Sequence, residues 1–481
     1  MMVNETLKCN AKRSIIWSFV EKIGTQGMGF TVSIILSRLL LPCDYGTIAL
    51  LSVFISIAQV IIDGGFSTAL IQNQDRSEED YCTAFYCNII VSLLAYGILY
   101  LCAPMIASFY NQTDLIIILR IYSLSIVISS LAIIQKIYFI ITYNFRIIAI
   151  VTTIAISVSG IISIILAYKG FGTWALVAYY ILSSLMTTIG YWISSKWYPN
   201  KRFSVSSFKS IFNFGSKILF ANIINVTFSN IYTLVIGRQF SSVQLGYFNR
   251  SQTIANVIPS NISNILTQAS YPIFCELQKD ETQLRKIFLK YLQISFFLCA
   301  PIMTFLIAIA SPLVIIVLTE KWADSIIYIQ ILAFGYMFDP IMRLNANVMN
   351  VTGHSDYTLN SELFKKVSLI AIMIVTVTFG IKALVWGVCI YSFIDLLIGS
   401  IYVKRIINVS FIDEFVSTLP IMFCCSIMYI CMYIIQLLFE NHYAQIVAAT
   451  LIGFTSYYLS CLMILKNEIR FISDALNLRN K

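Results

Sequence analysis

Eight ionisable side chains stand inside strongly apolar stretches of this sequence: Glu21, Lys22, Asp63, Arg120, Lys217, Asp339, Arg343 and Asp395. A charge surrounded by hydrocarbon is costly unless it faces a partner or a water-filled cavity, so each is a functional candidate. Lys22 and Lys217 lie about two turns inside matching ends of two apolar runs, and Arg120 lies one to two turns inside the opposite end of another. Arg38, Arg238 and Arg250 follow at run ends. Arranged in this order, the six cations form a ladder suited to an anionic ligand, because Arg offers a bidentate fork and Lys a compact point charge. The alternatives are ordinary ones. Lys22 and Lys217 can snorkel to an interface, and Arg38 and Arg238 can cap helix C-termini, where the dipole favours a cation.

The acids read differently. Asp339 and Arg343 are four residues apart, so on a helix they share a face and pair. Asp63 precedes Gly64-Gly65 and fits either helix packing or coupling to H+ or Na+. Asp395 is the most solitary of the set, so it must be protonated or partnered, and it is a second coupling candidate. Glu21 offsets the charge of Lys22. No cofactor or metal is expected: the 12 Cys fall mostly in apolar runs without CxxC pairs, the only His are His354 and His442, and packing explains the thiols.

The elements that must position these residues follow from composition. Of 481 residues, 58% are hydrophobic and 11% charged, and the mean hydropathy is +0.82. These values exclude a large soluble catalytic domain and predict an all-α, polytopic membrane protein. Apolar runs occur at 14–36, 47–71, 83–108, 115–135, 147–168, 173–195, 211–236, 251–274, 291–318, 325–349, 363–381, 383–403, 415–438 and 443–465, which is fourteen transmembrane helices. The eleventh is the weakest, because Glu362, Lys365 and Lys366 shorten its apolar stretch. An even number puts both termini on one side. On that side fall 22 of the 32 Lys and Arg, against 6 on the other, so both termini are expected in the cytoplasm. Trp17, Trp192 and Trp197 near one set of ends, and Trp174, Trp322 and Trp386 near the other, fit an interfacial belt.

An internal repeat organises the runs. Arg38 precedes Gly46 by eight residues, Arg238 precedes Gly246 by eight, and the two copies are 200 apart. A looser echo runs from Pro104 to Tyr110-Asn111 and from Pro312 to Trp322 and Asp324. Two six-helix lobes follow, residues 1–200 and 201–410, with two further helices and a cytoplasmic tail in 411–481. Six is even, so the lobes share an orientation. Pro259, Pro272, Pro301 and Pro312 should kink their helices.

The turn Leu36-Ser-Arg38-Leu-Leu-Leu-Pro42-Cys-Asp44-Tyr45-Gly46 resembles the signature of polysaccharide repeat-unit flippases, the polysaccharide transporter family of the multidrug/oligosaccharidyl-lipid/polysaccharide exporter superfamily. Further blocks agree in order: Asp63-Gly-Gly65-Phe66, Ala103-Pro104 through Phe109-Tyr110, Tyr143-Asn-Phe145-Arg146, Gly170-Phe-Gly172-Thr-Trp174, Gly237-Arg238 with Gly246-Tyr247, Pro272-Ile-Phe274 and Lys321-Trp322. The resemblance implies a bacterial inner-membrane protein that carries an undecaprenyl-diphosphate oligosaccharide between leaflets for O-antigen, capsule or exopolysaccharide synthesis. It also implies two lobes around a cationic cavity, where the six cations would bind the diphosphate, with membrane lipid around the carrier's tail. A polysaccharide polymerase and chain-length machinery are the partners it suggests.

Two other classes compete. A drug or cation exporter of the same superfamily would want carboxylates to dominate, whereas bases outnumber acids at the outer mouth. A membrane polysaccharide polymerase or other enzyme would need a sizeable loop carrying catalytic groups, and the loops here are short. The sequence contains no GxxxxGK[ST] phosphate loop, and its basic residues are dispersed by topology, which argues against nucleic acid.

Overall fold

The structure is a computed structural model and describes residues 2–464, with side chains from Trp17 onward except those of Phe19, Ile23 and Ser355. The tail beyond 464 and the side chains of Lys8, Lys12 and Arg13 lie outside the described residues. Among the described residues every regular element is helical, and the chain forms two compact units, Met1–Gly246 and Tyr247–Lys481.

The first unit runs α1 (Met2–Leu39), α2 (Pro42–Asp63), α3 (Phe66–Gln72), α4 (Glu78–Phe109), α5 (Leu115–Tyr122), α6 (Leu124–Ile141), α7 (Phe145–Tyr168), α8 (Thr173–Ser194), α9 (Val205–Ser229) and α10 (Ile231–Gln239), and takes in the first turn of α11 (Ser242–Leu277). Polar residues set the ends. Ser77 and Asp80 form a reciprocal capping box that starts α4, with bonds of 3.3 and 2.8 Å. Gly64 and Gly65 both take positive φ (54° and 73°), which breaks one apolar run into α2 and α3 and tilts the second piece.

Packing follows from small residues. Gly24 on α1 lies against Thr153 of α7, where an added Cβ would be 3.0 Å from its hydroxyl, and Gly190 on α8 lies against Val151 of the same helix. Such sites let backbones approach closely where lipid offers no hydrophobic drive to association. A core of Phe66, Leu70, Tyr81, Phe85, Ile134 and Trp197 joins α3, α4 and α6 to the stretch before α9. The helix α9, which the sequence reading groups with residues 201–410, packs against α2, α3 and α4 of this unit.

The second unit contains most of α11, then α12 (Glu281–Val317), a short 3-10 turn at Glu320–Trp322, α13 (Ser325–Tyr336), α14 (Asp339–Val351), α15 (Ser355–Val377), α16 (Ile381–Ile407), α17 (Phe411–Leu437) and α18 (His442–Ile464). The helix interrupted at Met337-Phe338, α13 with α14, repeats the interruption at Ser123 between α5 and α6. Both follow a long helix with an internal proline, Pro104 in α4 and Pro301 with Pro312 in α12. The helices α17 and α18 meet at Gly453, where an added Cβ would be 2.8 Å from the Met432 sulfur.

Eleven spans among the described residues are long and apolar enough to cross a membrane, with α2–α3, α5–α6 and α13–α14 each counted once. The long helices outside that set are α1, α11 and α15. In α15 the reason is Glu362, Lys365 and Lys366. In α11 it is Asn249, Arg250, Gln252, Asn256 and Asn261. The tryptophans are not all at the lipid surface: Trp197 is buried and donates from Nε1 to Glu78 at 2.9 Å, and Trp322 is fully buried against Tyr247. These two hold helix ends inside the protein.

Candidate functional site

The turn between α1 and α2 is built by Asp44. Proline at the first position of α2 needs no donor there, and Asp44 two residues later accepts the Leu41 N–H at 2.9 Å. Its other oxygen accepts the Thr173 hydroxyl at 2.6 Å, which ties α2 to the start of α8. Gly172 has φ 51° and an added Cβ there would stand 3.3 Å from Asp44. Ser37 donates to the Tyr45 hydroxyl at 3.1 Å, and Tyr45 in turn donates to the Ser33 carbonyl. The two sequence blocks are therefore one structural joint.

Near the break between α2 and α3, a cavity of about 350 Å³ opens within the first unit. Gln59, Asp63, Ser67, Ser129 and Lys136 line it among apolar side chains. Ser67 in the first turn of α3 donates to Asp63 at the end of α2, across the break. Gly65 packs on the backbone of Gly215, and an added Cβ at Gly215 would be 2.7 Å from the Gly64 carbonyl oxygen. This places α9, two residues before Lys217, against the Asp63 break. Lys22 and Lys217 are exposed, and so is Lys136. Sequence reading counted Lys136 only as a cation of the terminal side. The available signal was a Lys that directly follows the apolar run 115–135 and precedes a further apolar stretch, Ile137 to Ile141. A second cavity, about 520 Å³, is lined by Trp17, Tyr143, Asn144 and Arg146, whose guanidinium lies over the Trp17 ring at 5.5 Å.

The arginines separate into different settings. Arg120 is half-buried, stacks on the Tyr100 ring at 4.1 Å and donates from Nε to the Tyr100 carbonyl at 3.3 Å. Arg238 is exposed, lies over Phe109 at 4.9 Å, and its Nη1 is 3.1 Å from the Asn111 side chain, which accepts in the amide orientation that satisfies both groups. Arg38 is exposed at the end of α1. Arg250 is 3% exposed inside α11, so it is a buried cation of the second unit and not an open rim residue.

In the second unit, Arg343 Nε is 2.9 Å from Asp339 Oδ2, which also accepts the Ser263 hydroxyl at 2.6 Å. Asp395 is not solitary. Lys365 Nζ lies 2.9 Å from it and 3.3 Å from Glu362, and Lys365 is itself only 5% exposed. Of the charges that interrupt the apolar pattern of α15, Lys365 is therefore satisfied against α16, while Glu362 pairs with Lys365 and Lys366 on its own helix. Sequence reading passed over Lys365 because a partner on another helix has no fixed spacing.

A polar stripe on α11 also escaped it. Thr253, Asn256, Asn264 and Gln268 are exposed and, with half-buried Ser260, recur every three or four residues along one face. On a membrane helix such a face requires water or a polar ligand. No cluster of three or more His, Cys, Asp or Glu able to hold a metal is present among the described residues.

The helical architecture and the apolar spans define a multi-pass membrane protein. Residues 35–327 match the family described as "Polysaccharide biosynthesis protein", and the chain belongs to that family. It is 26% identical over 371 residues to the teichuronic acid biosynthesis protein TuaB of Bacillus subtilis, covering 75% of each chain. It is 25% identical over 317 residues to the succinoglycan biosynthesis transport protein ExoT of Rhizobium meliloti, covering 65% of this chain and 64% of that one. Among solved structures, a lipid II flippase, MurJ, in an inward closed conformation matches with a TM-score of 0.75 at 14% identity, covering 95% of this chain and 100% of that one, which establishes the shared fold. The chain is a membrane transporter rather than an enzyme.

Proposed function

We propose that this protein flips an undecaprenyl-diphosphate-linked oligosaccharide repeat unit from the cytoplasmic to the outer leaflet, by alternating access, for cell-surface polysaccharide synthesis. The observation that carries the reading is the exposure of cations in the first unit of a membrane fold; the polar face on the second unit's α11 supports it separately. Lys22, Lys136 and Lys217 are exposed in the first unit, and α11 presents a polar face that lipid would not accept. The first unit's lysines are suited to attract a diphosphate. Taken by itself, the face of α11 with Thr253, Asn256, Asn264 and Gln268 carries both donors and acceptors of the kind that sugar hydroxyls bind. Arg120 and Arg238 lie over aromatic rings, which fix the orientation of each guanidinium.

With α1, α11 and α15 counted as spans beside the other eleven, the chain crosses the membrane fourteen times and both termini face the cytoplasm. A diphosphate leaving a negative interior moves electrically downhill, by about 2.3 kcal/mol per charge per 100 mV, so the membrane potential assists the step. The names of the relatives support a polysaccharide precursor as cargo.

The test is leaflet accessibility of a labelled undecaprenyl-diphosphate oligosaccharide in proteoliposomes. Wild type is expected to expose the label to an external enzyme, and Lys22→Ala, Lys136→Ala and Lys217→Ala to lose most of that exposure at equal protein content. No movement of the lipid by wild type overturns the reading, and export of organic cations instead would favour the rival transporter class.

A further inference from the structure

A buried carboxylate with no role in the steps above stands at the start of α17. Its neighbour Asp413 completes a capping box with Ser410, whose N–H it accepts at 2.9 Å, and lies 3.7 Å from Arg285 of α12. Glu414 turns the other way and is 2% exposed. Its Oε2 accepts the Ser400 hydroxyl of α16 at 2.6 Å and the Asn345 amide of α14 at 3.4 Å. Its Oε1 has no donor, and neither has Oδ1 of Asn345, which is 0% exposed. Gly399 holds this arrangement close, since an added Cβ there would be 3.2 Å from Asn345.

The surrounding charges do not supply the missing partner. On α12, Arg285 is directed to Asp413; on α14, Arg343 pairs with Asp339; Lys404 and Arg405 occupy the last turn of α16. The groups that donate to Glu414 here, the Ser400 hydroxyl and the Asn345 amide, are both neutral. Two buried acceptors without donors, in a cluster that holds one carboxylate, are short of one positive charge. The other acids considered for coupling differ, because Asp63 is only half-buried and lines an open cavity, Asp339 has Arg343 and Ser263, and Asp395 has Lys365.

We propose that Glu414, Asn345 and Ser400 form a binding site for one monovalent cation, a proton or Na+, which ties α14, α16 and α17 together. A proton on Oε1 turns an orphan acceptor into a donor; Na+ would be shared by the carboxylate and the Asn345 oxygen. The site is a property of the purified protein, so it stands or falls separately from the flipping assay.

The experiment uses the full chain in lipid nanodiscs. Thermal midpoints are measured in Na+ and in choline at fixed pH, then across pH in choline, for wild type and Glu414→Gln. The expected result is a midpoint that rises with Na+ or with falling pH in wild type, the former identifying Na+ and the latter a proton, and loss of that response in Glu414→Gln. As a measurement on wild type alone, an apolar carbodiimide is reacted with the protein and Glu414 modification is read by mass spectrometry. Acid is expected to promote modification and Na+ to suppress it if Na+ binds. An unchanged response in Glu414→Gln, no response in wild type, or carbodiimide modification indifferent to both cations overturns the proposal.

Discussion

Gly46 and Gly246 stand against one another where α2 and α11 begin: a Cβ on Gly46 would overlap the Ser242 carbonyl oxygen, and a Cβ on Gly246 would overlap that of Pro42. The contact is reciprocal, and positions 42 and 242 are 200 apart, as are the glycines. The repeat visible in the sequence is thus a self-complementary backbone crossing within the first unit.

Substituting either glycine should therefore be among the most damaging small changes in the chain. Because backbone cannot move aside as a side-chain tip does, Gly46→Ala or Gly246→Ala is expected to cost about 1–3 kcal/mol or to abolish folding. Gly97→Ala is the control, since nothing lies within 4 Å of its added Cβ. Thermal midpoints of the purified variants measure the difference, and equal midpoints for all three would refute the crossing.

Asp44 joins Leu41 to Thr173, so Asp44→Ala and Thr173→Val should not be additive. Loss of the cap is expected to cost about 1 kcal/mol. After Asp44→Ala, adding Thr173→Val should cost little more. A double-mutant cycle on thermal stability reads the coupling, and full additivity would break the joint apart.

Lys365 and Asp395 should behave as a buried pair. Removing one partner strands the other, and Lys365→Met or Asp395→Leu alone is expected to destabilise by about 3–5 kcal/mol. The double variant should recover most of that loss, since apolar replacements of both leave no buried charge. A double variant worse than either single would show that the pair is not the dominant interaction.

Lys136 is exposed and lines the cavity beside Asp63. Lys136→Ala is expected to leave the thermal midpoint unchanged and to raise the substrate concentration for half-maximal flipping roughly tenfold, or about 1.4 kcal/mol. Lys136→Arg should retain most activity. Flipping rates in proteoliposomes at several substrate concentrations decide the matter.

Sequence periodicity and hydropathy were enough for the helical class, most span positions, the Arg38/Gly46 and Arg238/Gly246 repeat, and the Asp339–Arg343 pair, because each depends on neighbours within a turn or on the thickness of hydrocarbon. What they left out were relations across helices. Lys365 looked like a flaw in an apolar run until Asp395 was found beside it, and Asp395 looked solitary for the same reason. Arg250 read as a rim cation and is buried. Glu414 drew no notice beside Asp413, yet α17 turns one acid to its cap and the other to Ser400 and Asn345. A helical pattern specifies which residues share a face of their own helix. Only packing decides what that face meets, and in a membrane interior this determines whether a charge is a defect, a structural pair or a binding site.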